Sequence, residues 1–189
     1  HLVRKDTGEY SLWGEVLAKA GQEVRADAYA DATARPDVTG FAAQIAEVEV
    51  DPETGRVKIL RFTTAHDIGT IINPIGHQGQ INGGVLQGMG YALMEEVRVE
   101  GGRVTTTNFA DVKFPTTCDI PELKTVLLEP FGGVGPYNVK GIGENPITPV
   151  AAAIANAVED AIGVRIKDLP ITAEKVFAAL QAKRDYIPA

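Results

Sequence analysis

Cysteine is nearly absent from this chain, which has only Cys118 in 189 residues. A single thiol excludes an internal disulfide, a thiolate metal cluster and an iron–sulfur centre within these residues. Nothing near Cys118 would activate it as a nucleophile, so we interpret it as a small, partly buried side chain. His1, His66 and His77 show no metal-ligand spacing. A structural role at a strand end is favoured for His66, with a hydrogen bond to Asp67 as the alternative.

An excess of positive charge and long apolar runs are also missing. The formal net charge is −7, from 18 Lys and Arg against 25 Asp and Glu, which argues against nucleic acid and anionic membranes as partners. No apolar run approaches the ~18 residues of a membrane span, and the N-terminus lacks a signal-peptide pattern. We therefore expect a soluble, cytoplasmic protein that binds a small molecule or another protein. Because the first residue is His1 rather than Met, we expect a processed chain or a fragment.

The length and the order of the elements predict the fold class. A chain of 189 residues fits one domain, residues 1–189, with a core that covers roughly 70% of the unfolded surface. Strand-like segments precede helix-like ones without regular alternation. This order predicts an α+β fold in which helices pack on a mainly antiparallel or mixed sheet.

A long hairpin is the clearest strand signal. Phe41 to Val50 and Arg56 to Ala65 are strand-like on either side of the sequence Asp-Pro-Glu-Thr-Gly at 51–55. Asp51 and Glu53 are candidate calcium ligands, but no further ligand series follows, so we assign both to the chemistry of the turn.

Shorter patterns predict the remaining elements. Near the N-terminus they are a helix from Leu12 to Lys19, capped by Ser11 and ended by Gly21, and a strand through Val24, Ala26 and Ala28. Further strands are Arg103 to Asn108 and Lys124 to Glu129. A helix from Ile147 to Ile162 ends at Gly163 and buries Val150, Ile154, Val158 and Ala161. A last helix begins after Thr172 and buries Val176, Phe177 and Leu180.

Residues 77–96 predict a helix that contains many glycines. Its apolar residues recur at every fourth position, at Ile81, Val85, Met89 and Leu93. Its glycines would together cost roughly 3–4 kcal/mol relative to alanine, and they are Gly83, Gly84, Gly88 and Gly90. Either another element packs closely against them, or a ligand lies against the backbone at the helix start. One face carries amides beside small residues, namely Gln80, Gly84, Gln87 and Gly88.

A second candidate site is the segment Lys-Gly-Ile-Gly-Glu-Asn-Pro at residues 140–146. Gly141 and Gly143 permit close approach of a ligand, and Pro146 suits the first turn of a helix. Such a turn can present Glu144 as a single acid or base. From the local chemistry alone, a solvated charge before a helix is the competing interpretation.

Several segments in register resemble the C-terminal part of the molybdopterin-binding subunit of the xanthine dehydrogenase and aldehyde oxidase family. Their extent is roughly Gly40 to Phe177. They comprise Glu49–Gly55, His66–Gly69 with Asn73–Pro74, Gly79–Gly84, Gln87–Gly90, Asp111–Thr116, Asp119–Pro121, Lys140–Pro146, Ala151–Ala157, Gly163–Arg165 and Leu169–Thr172. The Gly-Gln pair at 79–80 and the Gly-x-Gly-Glu turn at 141–144 are the most specific of these.

The resemblance implies hydroxylation of an electron-poor carbon in an aldehyde or N-heterocycle, with water as the oxygen source. It implies a molybdenum–molybdopterin cofactor, in the cytosine dinucleotide form, with the metal held through the pterin and not by protein ligands. Glu144 matches the family's base. Gly79 and Gln80 match its cofactor-contacting pair, and Gly141, Ile142 and Gly143 would line the molybdenum side.

The resemblance also implies partners. FAD and iron–sulfur clusters would lie on other domains or subunits. The family's glutamine beside the metal, its substrate-stacking aromatics and its selector residues have no match in this chain, so we expect the remaining molybdopterin-binding segments elsewhere. Val112 stands where the family often has tyrosine. The competing hypothesis is a non-catalytic assembly or binding module that retains the fold.

Overall fold

The structure, a computed structural model, describes residues 2–21, 23, 25, 27–29, 40–129, 132–133 and 136–186. The chain divides into two compact units, residues 1–35 and 36–189. The assignment of residues 1–189 to one domain stays a prediction. Of the strand predicted through Val24, Ala26 and Ala28, the first two residues lie outside the described part, and Ala28 belongs to no strand.

The described residues of the first unit form a short hairpin and one helix. Strand β1 (Leu2–Val3) pairs antiparallel with β2 (Tyr10–Ser11), and helix α1 (Trp13–Ala20) follows. The prediction that Ser11 caps this helix is wrong because Ser11 belongs to β2. The N-cap is Leu12, whose backbone N–H donates to the Glu15 carboxylate at 3.3 Å. Gly21 ends the helix in the left-handed conformation, as predicted.

The second unit is a three-stranded sheet with helices packed on it. Its elements in chain order are β3 (Phe41–Val50), β4 (Val57–Asp67), α2 (Pro74–Leu93), β5 (Val99–Glu100), β6 (Arg103–Val104), β7 (Glu122–Leu128), α3 (Val150–Ile162) and α4 (Ala173–Tyr186). Strand β4 lies between β3, which is antiparallel to it, and β7, which is parallel. This mixed sheet confirms the predicted α+β class.

The hairpin between β3 and β4 turns as its sequence predicts. The Asp51 carboxylate accepts hydrogen bonds from the Thr54 hydroxyl at 2.7 Å and the Glu53 backbone N–H at 2.9 Å. These bonds, chiefly the one from Thr54, lower the pKa of Asp51. Gly55 has a φ of 74° and lies so close to α4 that a Cβ would come within 2.1 Å of the Ala173 carbonyl oxygen. Asp51 therefore serves the turn.

The core forms where α2 and α3 meet the sheet, since α3 packs on β3 and α2 packs on both α3 and β7. Its fully buried members include Phe62, Ile81, Val85, Met89, Val150, Ile154, Val158 and Val176. The predicted buried face of α3 is confirmed except at its last position, where Ile162 is buried and Ala161 is exposed. Phe177 is also more exposed than predicted, at 37%.

Two shorter predictions are wrong. The strand predicted from Arg103 to Asn108 is limited to Arg103 and Val104, which pair with β5 around a turn at Gly101 and Gly102. Cys118 is exposed and not partly buried.

Within the described ranges, no helix combines the length and apolarity that crossing a bilayer requires.

Candidate functional site

Helix α2 begins three residues earlier than predicted. Asn73 caps it by accepting a hydrogen bond from the Gly76 backbone N–H at 2.9 Å, and Pro74 occupies the first helical position. Gln80 consequently lies in the second turn and not at the helix start. The helix N-terminus, where a ligand could meet free backbone N–H groups, is therefore not beside Gln80. Its first turn also offers few such groups, since Pro74 has none and Gly76 donates to Asn73.

Two glycines of α2 are required by close packing against the segment that leads into α3. A Cβ at Gly84 would come within 2.8 Å of the Pro146 Cβ. A Cβ at Gly88 would come within 2.5 Å of the Val150 Cβ. Real side chains essentially never approach so closely, so these positions confirm the packing explanation.

Two other glycines of the same helix have no such requirement. A Cβ at Gly79 or Gly83 would meet no heavy atom within 4 Å among the described residues. Neither residue has a left-handed φ. The structure of this chain therefore gives neither glycine a packing or backbone reason, although each lowers the stability of the helix.

A buried ion pair attaches the start of the Gly-x-Gly-Glu turn to the end of β4. The Lys140 ammonium lies 2.5 Å from the Asp67 carboxylate, and their side chains are only 5% and 4% exposed. The Asp67 carboxylate also accepts from the Gly69 backbone N–H at 3.2 Å. The hydrogen bond from Lys140 is the largest influence that lowers the pKa of Asp67, and Gly69 adds to it. Asp67 thus pairs with Lys140, and the alternative of a His66–Asp67 pair is wrong.

A second attachment follows Glu144 directly. Asn145 Oδ1 lies 2.8 Å from His66 Nδ1, and His66 Nε2 lies 2.5 Å from the Thr64 hydroxyl. His66 is fully buried, and burial lowers the pKa of its imidazole. The neutral ring then donates from Nδ1 to Asn145 and accepts at Nε2 from Thr64. The structural role predicted for His66 is confirmed.

Two further hydrogen bonds hold the residues after Asn145. The Gln44 amide on β3 donates to the Pro146 carbonyl oxygen at 2.7 Å. The Tyr91 hydroxyl on α2 donates to the Ile147 carbonyl oxygen at 3.0 Å. Both bonds join the turn to neighbouring elements of the second unit.

Helix α3 begins at Val150, so the prediction that it starts at Ile147 after Pro146 is wrong. Residues 145–149 form consecutive turns, and the Ile147 backbone N–H donates to the Glu144 carbonyl oxygen at 3.1 Å. In a helix begun at Pro146, Pro149 would have to supply the first intrahelical N–H, which it lacks.

Glu144 itself is exposed, although its flanking residues are held. It faces a cleft of about 350 Å³ between α2 and the turn. The residues that line this cleft are Gln80, Gly83, Gly84, Gln87, Gly143, Glu144 and Ile147. Two parts of the sequence more than fifty positions apart, each singled out as a candidate site, therefore meet at one surface.

The other predicted site residues lie beside this cleft in the chain but do not line it. Gly79 and Gly141 are exposed glycines, and a Cβ added at either would have no heavy atom of the described residues within 4 Å. The same holds for Gly143, which lines the cleft. Ile142 is partly buried and packs against the core, which anchors the centre of the turn. Gln87, which the sequence left undecided, does line the cleft.

The cleft offers a defined set of chemical groups. It has two side-chain amides, Gln80 and Gln87, and one carboxylate, Glu144. Amides can both donate to and accept from a polar heterocycle, and the open glycines let a flat ligand approach the backbone. Among the described residues, no group of three or more His, Cys, Asp and Glu is arranged to hold a metal ion. The groups that line the cleft suit a polar heterocyclic ligand.

The residues that hold the turn were not found from the sequence. Asn145 is 79 positions from His66, and Pro146 is 102 positions from Gln44. No local periodicity reports such pairings. The start of α2 did have a signal, since Asn followed by Pro is a favoured N-cap and first position.

Comparison with known proteins gives three consistent findings. The family model described as the molybdopterin cofactor-binding domain matches residues 2–121, which include α2 but end before the Glu144 turn. The putative xanthine dehydrogenase molybdenum-binding subunit XdhA of Escherichia coli K12 is 37% identical over 159 residues, which cover 83% of this chain and 21% of that protein. The chain thus spans about a fifth of the length of this relative.

Solved structures agree with the sequence relatives. A Cu,Mo-CO dehydrogenase aligns with a TM-score of 0.72 at 28% identity, over 78% of this chain and 19% of that one. The aldehyde oxidoreductase of Desulfovibrio desulfuricans aligns with a TM-score of 0.68 at 33% identity, over 74% of this chain and 15% of that one.

Proposed function

From the premise that this chain belongs to the molybdopterin cofactor-binding family of molybdenum hydroxylase subunits, we propose that it supplies one wall of a catalytic molybdenum site. The reaction is the oxidative hydroxylation of an aldehyde or N-heterocycle carbon, with water as the oxygen source. Residues 1–189 form the C-terminal part of the cofactor-binding region, and further segments of a larger subunit supply the other walls.

The observation that carries this proposal is the meeting of Gln80 and Glu144 at one cleft. Packing within the chain accounts for Gly84 and Gly88 but not for Gly83 and Gly143, which also line or adjoin that cleft. Open glycines beside converging polar groups are what a ligand that lies against the backbone needs.

In this proposal the residues on the two sides of the cleft have separate roles. Gln80 binds the pterin through its amide, and the backbone at Gly79 lets the cofactor approach α2. Gly141, Ile142 and Gly143 line the molybdenum side, where the two glycines leave room and Ile142 anchors the turn to the core. When bound, the molybdenum–molybdopterin cofactor supplies the redox centre that accepts the electrons of the substrate.

Glu144 is the catalytic base. Among the described residues, its carboxylate is the one acid that lines the cleft, and its exposed side chain can reach a group bound there. It takes the proton released as the water-derived oxygen is transferred to the substrate carbon. A positioned base contributes typically 10²–10⁴-fold to such a step.

Other components complete the enzyme. We propose the cytosine dinucleotide form of the cofactor, and iron–sulfur and FAD centres on partner domains or subunits that carry the electrons away. The 21% coverage of the relative from Escherichia coli leaves ample chain for the remaining walls of the site.

The test of the catalytic role is Glu144→Gln in the cofactor-loaded enzyme that carries this chain. We expect the molybdenum content to stay near that of the wild type while turnover falls by about 10²–10⁴-fold, since the substitution removes the proton acceptor and preserves the shape. The matched control is Glu49→Gln, an exposed carboxylate near the other end of β3 from the cleft. Full activity of a fully loaded Glu144→Gln enzyme would exclude Glu144 as the base.

The test of the binding role is Gln80→Ala. We expect a lower molybdenum and pterin content, because the amide contacts the cofactor and not the reacting carbon. Gln78→Ala is the control, since Gln78 is an exposed glutamine of the same helix that does not line the cleft. Equal metal content in the two variants would mean that Gln80 takes no part in binding.

A further inference from the structure

Within the described residues, the Glu144 side chain accepts no hydrogen bond and forms no ion pair; only its backbone carbonyl oxygen is engaged, by Ile147 and Thr148. With no partner to hold the side chain, the region that its carboxylate can reach depends on where the backbone of the turn places its Cα. A base must lie within hydrogen-bond reach of the proton it removes, so the backbone position limits the reaction. The groups that fix this backbone are candidates for a role in catalysis.

The nearest such group is the side chain of the next residue. Asn145 Oδ1 lies 2.8 Å from His66 Nδ1, a bond from the turn to the central strand β4. His66 is in turn bonded to Thr64, two residues earlier on the same face of the strand, at 2.5 Å. His66 and Thr64 are 0% and 3% exposed, so water is not at hand to replace a lost partner.

We propose that Asn145 and His66 are positioning residues that hold the backbone of Glu144 where its side chain can reach the proton to be transferred. This inference rests on the proposed function, because it assumes that Glu144 is the base. The neutral His66 ring donates its Nδ1 proton to Asn145 and accepts at Nε2 from Thr64, which fixes both the ring and the amide. Neither residue lines the cleft, so each acts only through the turn.

The position of this linkage distinguishes it from the others. The Lys140–Asp67 pair holds the turn four residues before Glu144, and Gly141 and Gly143 lie between them. The backbone freedom of two glycines weakens any control from that side. Asn145 adjoins Glu144 directly, so its attachment to β4 has the strongest hold on the base.

The experiment uses Asn145→Ala in the cofactor-loaded enzyme. We expect kcat to fall by about 10- to 100-fold, because a displacement of about 1 Å can have that effect, with KM and molybdenum content unchanged. Hydrogen–deuterium exchange of the backbone amides at 141–147 should become faster. Asn82→Ala is the control, since Asn82 is a partly buried asparagine of α2 bonded to Thr125 at 3.0 Å and outside the turn.

Two further variants separate positioning from general damage. His66→Asn keeps a side-chain N–H near the position of Nδ1 and should retain most of the activity, whereas His66→Leu, which removes it, should behave like Asn145→Ala. In a Glu144→Gln background, Asn145→Ala should produce no additional loss of turnover, since no base remains to be positioned.

The outcomes decide the matter. If Asn145→Ala leaves kcat and amide exchange unchanged while Glu144→Gln abolishes turnover, the positioning role is wrong and the proposed function stands. A loss of kcat that persists in the Glu144→Gln background, or that follows a loss of molybdenum, also overturns the positioning role. If Glu144→Gln itself retains full turnover with full metal content, the proposed function fails and this inference fails with it.

Discussion

Helix α2 contains two kinds of glycine that look alike in the sequence. Gly84 and Gly88 touch the residues around Pro146 and Val150 so closely that a Cβ would overlap them. Gly79 and Gly83, on the same helix, would place a Cβ in open space. From the sequence alone, the glycines of this helix form one group with one explanation, either packing or a ligand.

The difference shows that the two explanations apply to different positions. Packing is confirmed where α2 crosses the segment that leads into α3. The ligand stays a prediction for the residues that face or adjoin the cleft. Each kind of glycine lowers helix stability by about 0.8–1 kcal/mol relative to alanine, so adding a methyl group is a sensitive way to separate them.

The largest expected effect is at the packed position. Gly88→Ala should lower the free energy of unfolding by about 1–3 kcal/mol, because the new methyl group would overlap Val150 and the strain exceeds the gain in helix propensity. Urea denaturation monitored by circular dichroism measures the change. A stabilised Gly88→Ala protein would mean that α2 and α3 can move apart at no cost, which would remove the packing explanation.

A smaller effect of opposite sign is expected at the open position. Gly83→Ala should raise the free energy of unfolding by up to about 1 kcal/mol, since alanine favours the helix and meets no neighbour. In the loaded enzyme the same variant should contain less molybdenum, because the methyl group projects toward the cleft. Increased stability with unchanged metal content would leave Gly83 without a role in binding.

The smallest expected effect is on the pH dependence of the free energy of unfolding, through His66, which joins β4 to the turn at Asn145. Burial lowers the pKa of His66, so the folded state binds fewer protons than the unfolded state once the pH falls below about 6.5. The contribution of His66 to stability is therefore fully present above that pH and is lost as the pH falls from there toward the lowered pKa of the folded state.

The comparison of wild type with His66→Asn isolates this effect. The variant lacks the titrating ring, so its unfolding free energy should decrease less over the same range. Asp67 and Asp51 have lowered pKa values and lose their contribution only near and below about pH 4. Glu95, whose pKa is raised by burial, acts in the opposite direction but equally in both proteins. Parallel pH curves for the two proteins would show that His66 does not titrate in this range.

Local sequence patterns predicted the helices and strands that form through interactions between residues close together in the sequence. The hairpin of β3 and β4 follows from alternation and a Pro-Gly turn, and the buried face of α3 follows from its apolar spacing. The errors lie at element boundaries. Pro146 and Pro149 together delay the start of α3, an effect visible only when the N–H required at the fourth helical position is considered.

The candidate site was predictable only in part. Local chemistry pointed to Gln80 and Glu144, and the resemblance gave each its expected role. The cleft that they share is visible only in the fold. The contacts that hold the turn join residues of β3, β4 and α2 to a segment far along the chain. Such contacts depend on the register of the sheet and the crossing of helices, which no short window of sequence determines.

The buried pair of Asp67 and Lys140 constrains how this surface can change over evolutionary time. Removal of one partner would leave the other as an isolated charge in the interior, at a cost of about 3–5 kcal/mol, whereas an apolar pair of similar volume can be neutral. Single substitutions at either position are thus selected against, and only coordinated replacement preserves the fold. In diverging lineages, positions 67 and 140 should therefore covary, although 73 residues separate them.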